Sequence, residues 1–210
     1  MIPRYQSILF GVLLLASVVM SVVLWQLRER AHQRLLAAQD SAPTQAPQVT
    51  PAEPATLMVA NDADNSLLAQ VQSLPLPQDP GARARVVLGK LLDLYAAPDA
   101  AHPVPGGAAG SIAQVFLLPV PNQDQDSGRN PPPTGPQLAV VNLTGAFVAS
   151  HPSGLETETL TVLSICGTLH ANLPRVTQVR FLVDGQPRAT LAGHADLTRT
   201  YLATDAAPHP

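Results

Sequence analysis

Cys166 and His170 stand four residues apart in a run of helical spacing. That spacing could present a thiol and an imidazole on one helix face, as a nucleophile–base pair or as two arms of a metal site. A structural zinc site takes about four ligands, and no Cys-x-x-Cys, His-Glu-x-x-His or helically spaced histidine pair supplies the others. Cys166 is the single cysteine, so no intramolecular disulfide can form. Its neighbours on the stripe are Leu163 and Leu169, which assigns it to a core as a small hydrophobe. Glu156 and Glu158 could do acid/base work as a pair, but at the start of a helix their simpler task is to complement its positive end. Asn61, Asp62, Asp64 and Asn65 offer the oxygen ligands calcium takes, without the glycine and closing glutamate of an EF-hand, and read as a solvated turn. Gly106, Gly107 and Gly110 have no strand feeding them and no helix following, so they make no phosphate loop. Asn142-Leu143-Thr144 spells a glycosylation acceptor inside a predicted strand. The expectation is a chain with no catalytic residue, no metal and no cofactor. Arg175, Arg180 and Arg188 are of another kind: they fall near a predicted terminal hairpin, where charge on an edge strand selects partners. They are the candidate partner-binding residues, with the polar loop from Asn122 to Gly135 as a second contact surface.

The elements that must position these residues follow from periodicity. TLMVA from Thr56 is a short strand, NDADN a polar turn and SLLAQVQSLPL a second strand broken at Pro75 and Pro77. Asp79-Pro80 supplies an N-cap and a first-turn proline for a helix carrying Val87, Leu88, Leu91, Leu92 and Tyr95 on one face and ending before Pro98. Strands are predicted over Ile112 to Val120 and Leu138 to Ser150, pairing as a hairpin with a long proline-rich tip. Ser153-x-x-Glu156 is a capping-box pattern. It opens a second helix whose stripe runs Leu155, Thr159, Val162, Leu163, Cys166, Leu169, Leu173, and Pro174 stops it. Val176 to Val183 is β-branched and aromatic, Asp184-Gly185 gives a tight turn, and Arg188 to Leu191 is predicted to pair back. The order ββαββαββ gives an α+β, two-layer sandwich: one mostly antiparallel sheet with two helices on one face.

The N-terminal part obeys other rules. Ile8 to Trp25 carries no charge and, as a helix of about 27 Å, would cross most of a ~30 Å hydrocarbon layer. Tyr5 and Trp25 mark its ends. The run is longer than the core of a cleaved signal and ends without a small-x-small site, so it reads as one signal-anchor transmembrane helix. Arg28, Arg30 and Arg34 outnumber Arg4 across it, which by basic residues alone would hold the rest inside. Asp40 to Pro54, with proline every three or four positions, is a semi-rigid spacer. The division is 1–27 anchor, 28–54 juxtamembrane helix and linker, 55–193 folded domain, 194–210 tail. A net charge of −3 without any basic stripe excludes nucleic acid as a partner. Aromatic residues are 4% of the chain, so the core must be aliphatic.

Residues 155–193, LETETLTVLSICGTLHANLPRVTQVRFLVDGQPRATLAG, resemble the signature half of the GerMN domain, found in sporulation, germination and other envelope proteins of bacteria. The matching features are a helix leading to Leu173-Pro174, then Val176, Val179, Phe181-Leu182-Val183-Asp184-Gly185, and Gly193. The first half agrees in outline, so the resemblance covers about residues 55–193 in a single copy. It implies an α+β module similar to ring-building folds of membrane-anchored assemblies, exported and without catalysis. Family precedent and the spacer place the domain outside the cytoplasmic membrane, against the basic-residue count. The functional expectation is therefore a single-pass inner-membrane protein whose domain assembles or tethers a protein complex of the envelope, with self-association allowed. The alternative is a ligand-binding module for a cell-wall glycan or peptide.

Overall fold

The computed structural model describes residues 20–21, 51–106, 110–120 and 135–206. The chain divides into Met1–Val49 and Thr50–Pro210. In the first unit only Met20 and Ser21 are described, and both are helical. The span expected over Ile8 to Trp25 otherwise lies outside the described residues, among which no helix is long and apolar enough to cross a membrane. The spacer (but for its last four residues, Pro51–Pro54), and the loop tip 121–134, also lie outside them.

The second unit runs β1 (Ala52–Asn61), β2 (Ser66–Pro75), α1 (Pro80–Tyr95), β3 (Ile112–Pro119), β4 (Gln137–Leu143), α2 (Gly145–Ser150), α3 (Leu155–Asn172), β5 (Val176–Val183), β6 (Tyr201–Leu202) and a closing 3-10 turn, Ala203–Ala206. The first helix forms for the reasons its sequence states. The Asp79 carboxylate accepts from the Ala82 amide at 2.7 Å and Pro80 opens the first turn. Val87, Leu88, Leu91, Leu92 and Tyr95 are all buried.

The expected single sheet is two. β1 and β2 form an antiparallel hairpin by themselves, and β3-β4-β5-β6 form a second sheet in which β4 and β5 run parallel across the α2–α3 crossover. Side chains cause the split. The outer edge of β1 is taken up by helix groups: Thr56 N–H donates to Asn172 Oδ1 (3.0 Å), Met58 N–H to Thr168 Oγ1 (2.9 Å) and Ala60 N–H to the Tyr95 hydroxyl (2.9 Å), while Asn172 Nδ2 donates to the Thr56 carbonyl (2.6 Å). Buried backbone groups need partners; once these are satisfied, no strand can add there.

Three further expectations change. The strand from Leu138 stops at Leu143, because Thr144 caps the short helix α2 through the Phe147 amide. Helix α3 starts at Gly154 with no side-chain cap of its own, so Ser153 and Glu156 form no capping box; instead Glu158 reaches back to the Gly154 amide at 3.2 Å. Nor does α3 bury a single stripe. Leu155 is 65% exposed, whereas Thr161, Ser164 and Thr168 on the other side are enclosed with Ile165, Cys166 and Leu169. A layer lies on each side of this helix, and its small residues allow the close approach of β1. Finally, Asp184 (φ 48°) and Gly185 (φ 76°) make the expected tight turn, closed by a reciprocal Val183–Gln186 bridge. Pairing then ends, since Pro187 has no N–H to donate. Arg188 to Leu191 does not pair back; the strand against β5 is the two-residue β6.

Candidate functional site

Two polar clusters and one apolar face are the features that could carry function. The first cluster is built on Glu158, whose side chain is fully enclosed. Its Oε2 accepts from the amides of Ala192 (2.9 Å), His194 (2.8 Å) and Ala195 (2.8 Å), and its Oε1 from Gly154 N–H and from His194 Nδ1 (2.9 Å). Burial pushes this carboxyl up, but the Ala192 and Ala195 amides, the His194 ring and the His194 amide outweigh it and hold the group down at about 2. Glu158 is thus an anion at neutral pH that ties the start of α3 to residues 192–195. Glu156 takes no part in it. Ser153 Oγ also approaches His194, at 3.4 Å, so a serine, a histidine and a glutamate meet. A nucleophilic relay must use both ring nitrogens, one toward the acid and one toward the hydroxyl. Here both contacts fall on Nδ1, and the arrangement is structural.

The second cluster does have relay connectivity. Asp62 Oδ1 lies 2.5 Å from His102 Nδ1, and His102 Nε2 lies 2.7 Å from the Thr161 hydroxyl, which His151 Nε2 also reaches at 2.8 Å. The His151 Nδ1 donates to the Pro152 carbonyl at 2.7 Å. Thr161 and His102 are both 0% exposed, so the hydroxyl can meet no substrate. Burial lowers the pKa of His151, the Pro152 bond opposing it. This line runs between acceptors at both ends. The Thr161 hydroxyl also donates to the Thr157 carbonyl at 3.1 Å, within its own helix. The cluster fastens the β1–β2 turn, the loop after α1 and the loop before α3 to one point on α3.

The remaining polar candidates resolve simply. Cys166 is buried, and His170 Nδ1 donates to the Val176 carbonyl at 2.9 Å, so the two make no dyad. Asn61 and Asp64 accept from the backbone two residues on, as turn formers do. Asp184 Oδ1 accepts from the Gly145 amide and Asn142 Oδ1 from the Gly185 amide, which pins the tight turn to β4. Gly106 is the partner of Ser111 Oγ, through its carbonyl. No group of three or more His, Cys, Asp or Glu side chains gathers to hold a metal among the described residues.

The three arginines are not brought together. Arg175 lies in the turn before β5, Arg180 at its middle and Arg188 beyond its far end, along a strand of about 26 Å. Only Arg180 joins a surface with other features. The register sets Phe116 beside Val140 and Val140 beside Arg180, and Leu118 beside Leu138, Gln178 and Leu202. These residues alternate with the buried Val115, Ala139, Val141, Val179 and Phe181, so they form the outer face of the second sheet. Phe116 is 44% exposed, Leu118 47% and Leu202 50%. Sequence reasoning named the arginine and missed this row. The alternation in β3 and β4 held the signal, and reading all strands as one sheet hid which face was left uncovered. An open groove of about 450 Å³ lies where Asp79, Gly81 and Arg85 meet Gln114 and Val115, but Arg85 Nε is already bound to the Ile112 carbonyl.

A family model described as sporulation and spore germination, the Germane domain, matches residues 26–189. This chain belongs to the Germane (GerMN) family. Among solved structures, it is similar to the tandem GerMN domains of the sporulation protein GerM from Bacillus subtilis, at 15% identity over 73% of this chain and 47% of that one, with a TM-score of 0.41. The first GerMN domain of the same protein matches at 15% identity over 69% and 92%, TM-score 0.34. A Clostridium perfringens protein described as a lipoprotein matches at 18% identity over 77% and 95%, TM-score 0.32. This chain therefore spans about half the length of the tandem GerM structure. No curated protein matches it. The GerMN assignment accords with the residues on which the resemblance was drawn, Leu173-Pro174 through Gly185.

Proposed function

We propose that this GerMN protein is a non-enzymatic, membrane-anchored assembly module of the bacterial envelope, which docks a protein partner on the outer face of the β3–β6 sheet. The observation that carries the proposal is the row Phe116–Val140–Arg180 beside Leu118, Leu138 and Leu202: an uncovered surface among the described residues that carries an aromatic and an arginine. Such faces mark interaction sites, and aromatic and arginine anchors dominate their energetics. A small-molecule binder needs a concave site with converging polar groups, which the groove at Arg85 supplies less well. Membership of a family described by sporulation and spore germination supports the envelope reading. The uncharged run Ile8 to Trp25 supports the anchor.

The test is cross-linking and co-purification of the full-length chain from its own cells, with Phe116→Ser and Arg180→Ala introduced singly and together. The partner should be lost by at least tenfold while the melting temperature stays put. A complex recovered intact with the double variant would sink the docking face. Orientation is tested separately by a reporter, active only outside the cytoplasm, fused after Ala207; a stable but inactive fusion would reverse the placement.

A further inference from the structure

We infer that the open edge of β2 pairs antiparallel with β2 of a second copy of this chain. The inference concerns the other sheet and stands apart from the docking face. It starts from which backbone groups are free to bond. Thr56, Met58 and Ala60 turn their N–H groups away from β2, toward α1 and α3. In an antiparallel ladder a residue points both backbone groups to the same side, and directly opposed residues alternate between bonded and non-bonded pairs. The partners of those three in the register, Val71, Ala69 and Leu67, therefore point theirs outward, and Ser73 follows by alternation. None of these four amides has a hydrogen-bond partner among the described residues.

Proteins guard such edges with charge, proline, bulges or a cover, and the other sheet edges among the described residues are covered or short. The outer edge of β1 is filled by Asn172, Thr168 and Tyr95. The edge of β3 is approached by α1 so closely that a Cβ on Gly81 would come within 3.0 Å of the Val115 carbonyl. The last edge, β6, is two residues long. β2 alone is ten residues long, regular in register, uncharged throughout and without proline before its final position. Leu68 and Val71 on it are 51% and 68% exposed.

The edge is complementary to itself. A two-fold axis at Gln70 sets Leu67 against Ser73 of the second copy and Ala69 against Val71, and each of these pairs recurs across the axis. All four outward residues of each copy are then used, giving about eight backbone hydrogen bonds. Val71, its symmetry mate and the two Leu67 side chains come together on one side of the joined ribbon. Because β2 has no charge, the two-fold opposes no like charges, the usual penalty on a self-paired strand. One strand edge buries less than the roughly 800 Å² per partner of a stable dimer. The pairing is accordingly weak in dilute solution and suits copies held close together.

The axis makes a positional test. Gln70 would face Gln70 of the other copy as a non-bonded pair, with Cα atoms about 4.5 Å apart, inside disulfide range. Two positions away, Gln72 would stand about 14 Å from its own mate, out of range. The full-length chain carrying Gln70→Cys or Gln72→Cys is oxidised with copper phenanthroline in the cell fraction that holds it; the native Cys166 is buried and serves as the background. Gln70→Cys should give at least about fivefold more disulfide-linked dimer than Gln72→Cys. Adding Val71→Pro, which removes an outward N–H and tolerates an edge position, should abolish that dimer without lowering the melting temperature. Equal cross-linking at both positions, a dimer that survives Val71→Pro, or Gln70→Cys captured by a different protein would each overturn the inference.

Discussion

Replacing Glu158 with glutamine keeps the volume of the side chain and removes its charge. In the native protein Oε2 takes three amide hydrogens and Oε1 takes the Gly154 amide and the His194 ring. Glutamine turns one of those positions into an NH2, so either the Gly154 amide or the three amides of Ala192, His194 and Ala195 must face another donor, depending on how the side-chain amide is set. Hydrogen bonds to a charged group contribute about 1.5–3 kcal/mol each, and an unpaired buried donor costs about 1–3 kcal/mol. With partial relaxation of the 192–195 segment, the expected loss is about 2–4 kcal/mol. For a domain of this size that corresponds to a fall in melting temperature of roughly 5–15 °C. The pH dependence fixes the mechanism. The folded carboxyl sits at about 2, below its ordinary 4.5. Its contribution is therefore complete above 4.5 and disappears as pH falls from there toward 2. Thermal melts followed by far-UV circular dichroism at pH 7, 4 and 3 should show the gap between wild type and Glu158→Gln narrowing with acidity. A variant within about 0.5 kcal/mol of wild type at pH 7, the scale of an ordinary surface change, or a gap unaltered at pH 3, would refute the reasoning.

Other perturbations address separate parts of the framework. Thr168→Val removes the acceptor of the buried Met58 amide and should cost about 1–3 kcal/mol with faster hydrogen exchange at that amide; Thr168→Ser should restore both. The His151 ring should titrate below 6.5 in an NMR pH series, because burial disfavours its charged form. The unfolded chain then takes up that proton first, so His151 contributes to stability above pH 6.5 and less as pH falls. Gly185→Ala places a side chain at φ 76° and should destabilise by about 1 kcal/mol, read from urea midpoints at unchanged slope.

The parts of the fold visible in the sequence are those settled within a few residues. Asp79-Pro80 and the Val87-to-Tyr95 stripe define α1, and Asp184-Gly185 defines the turn after β5. The sheet arrangement was hidden because the groups that seal β1 come from far along the chain: Asn172 lies 116 residues from Thr56, and Thr168 lies 110 from Met58. Glu158 shows the same limit. A local rule reads an acid in the first turn of a helix as a solvated complement to its dipole, and only the amides beyond Gly193 reveal it as enclosed. One clue was within reach. Thr161, Ser164, Gly167 and Thr168 put small residues opposite the leucine stripe, the mark of a helix approached from both sides. Arg175, Arg180 and Arg188 lie apart because steps of five and eight residues along a strand and turn separate them. The register puts Arg180 beside Val140, in the same row as Phe116.

The cradle around Glu158 also bears on how the chain is made. Synthesis runs from the N-terminus, and domains fold as units while the chain lengthens. When α3 and β5 have emerged, the carboxylate is in place at the helix start, but Ala192, His194 and Ala195, which neutralise its demand for partners, are still to come. An ionised group without partners in the interior is among the costliest states a nascent chain can hold. Docking of the helix start is expected to be complete only once residues 192–195 are present. A chain cut short before Ala192 lacks the three amides that hold this carboxylate, and limited proteolysis should cut it faster than the longer chain.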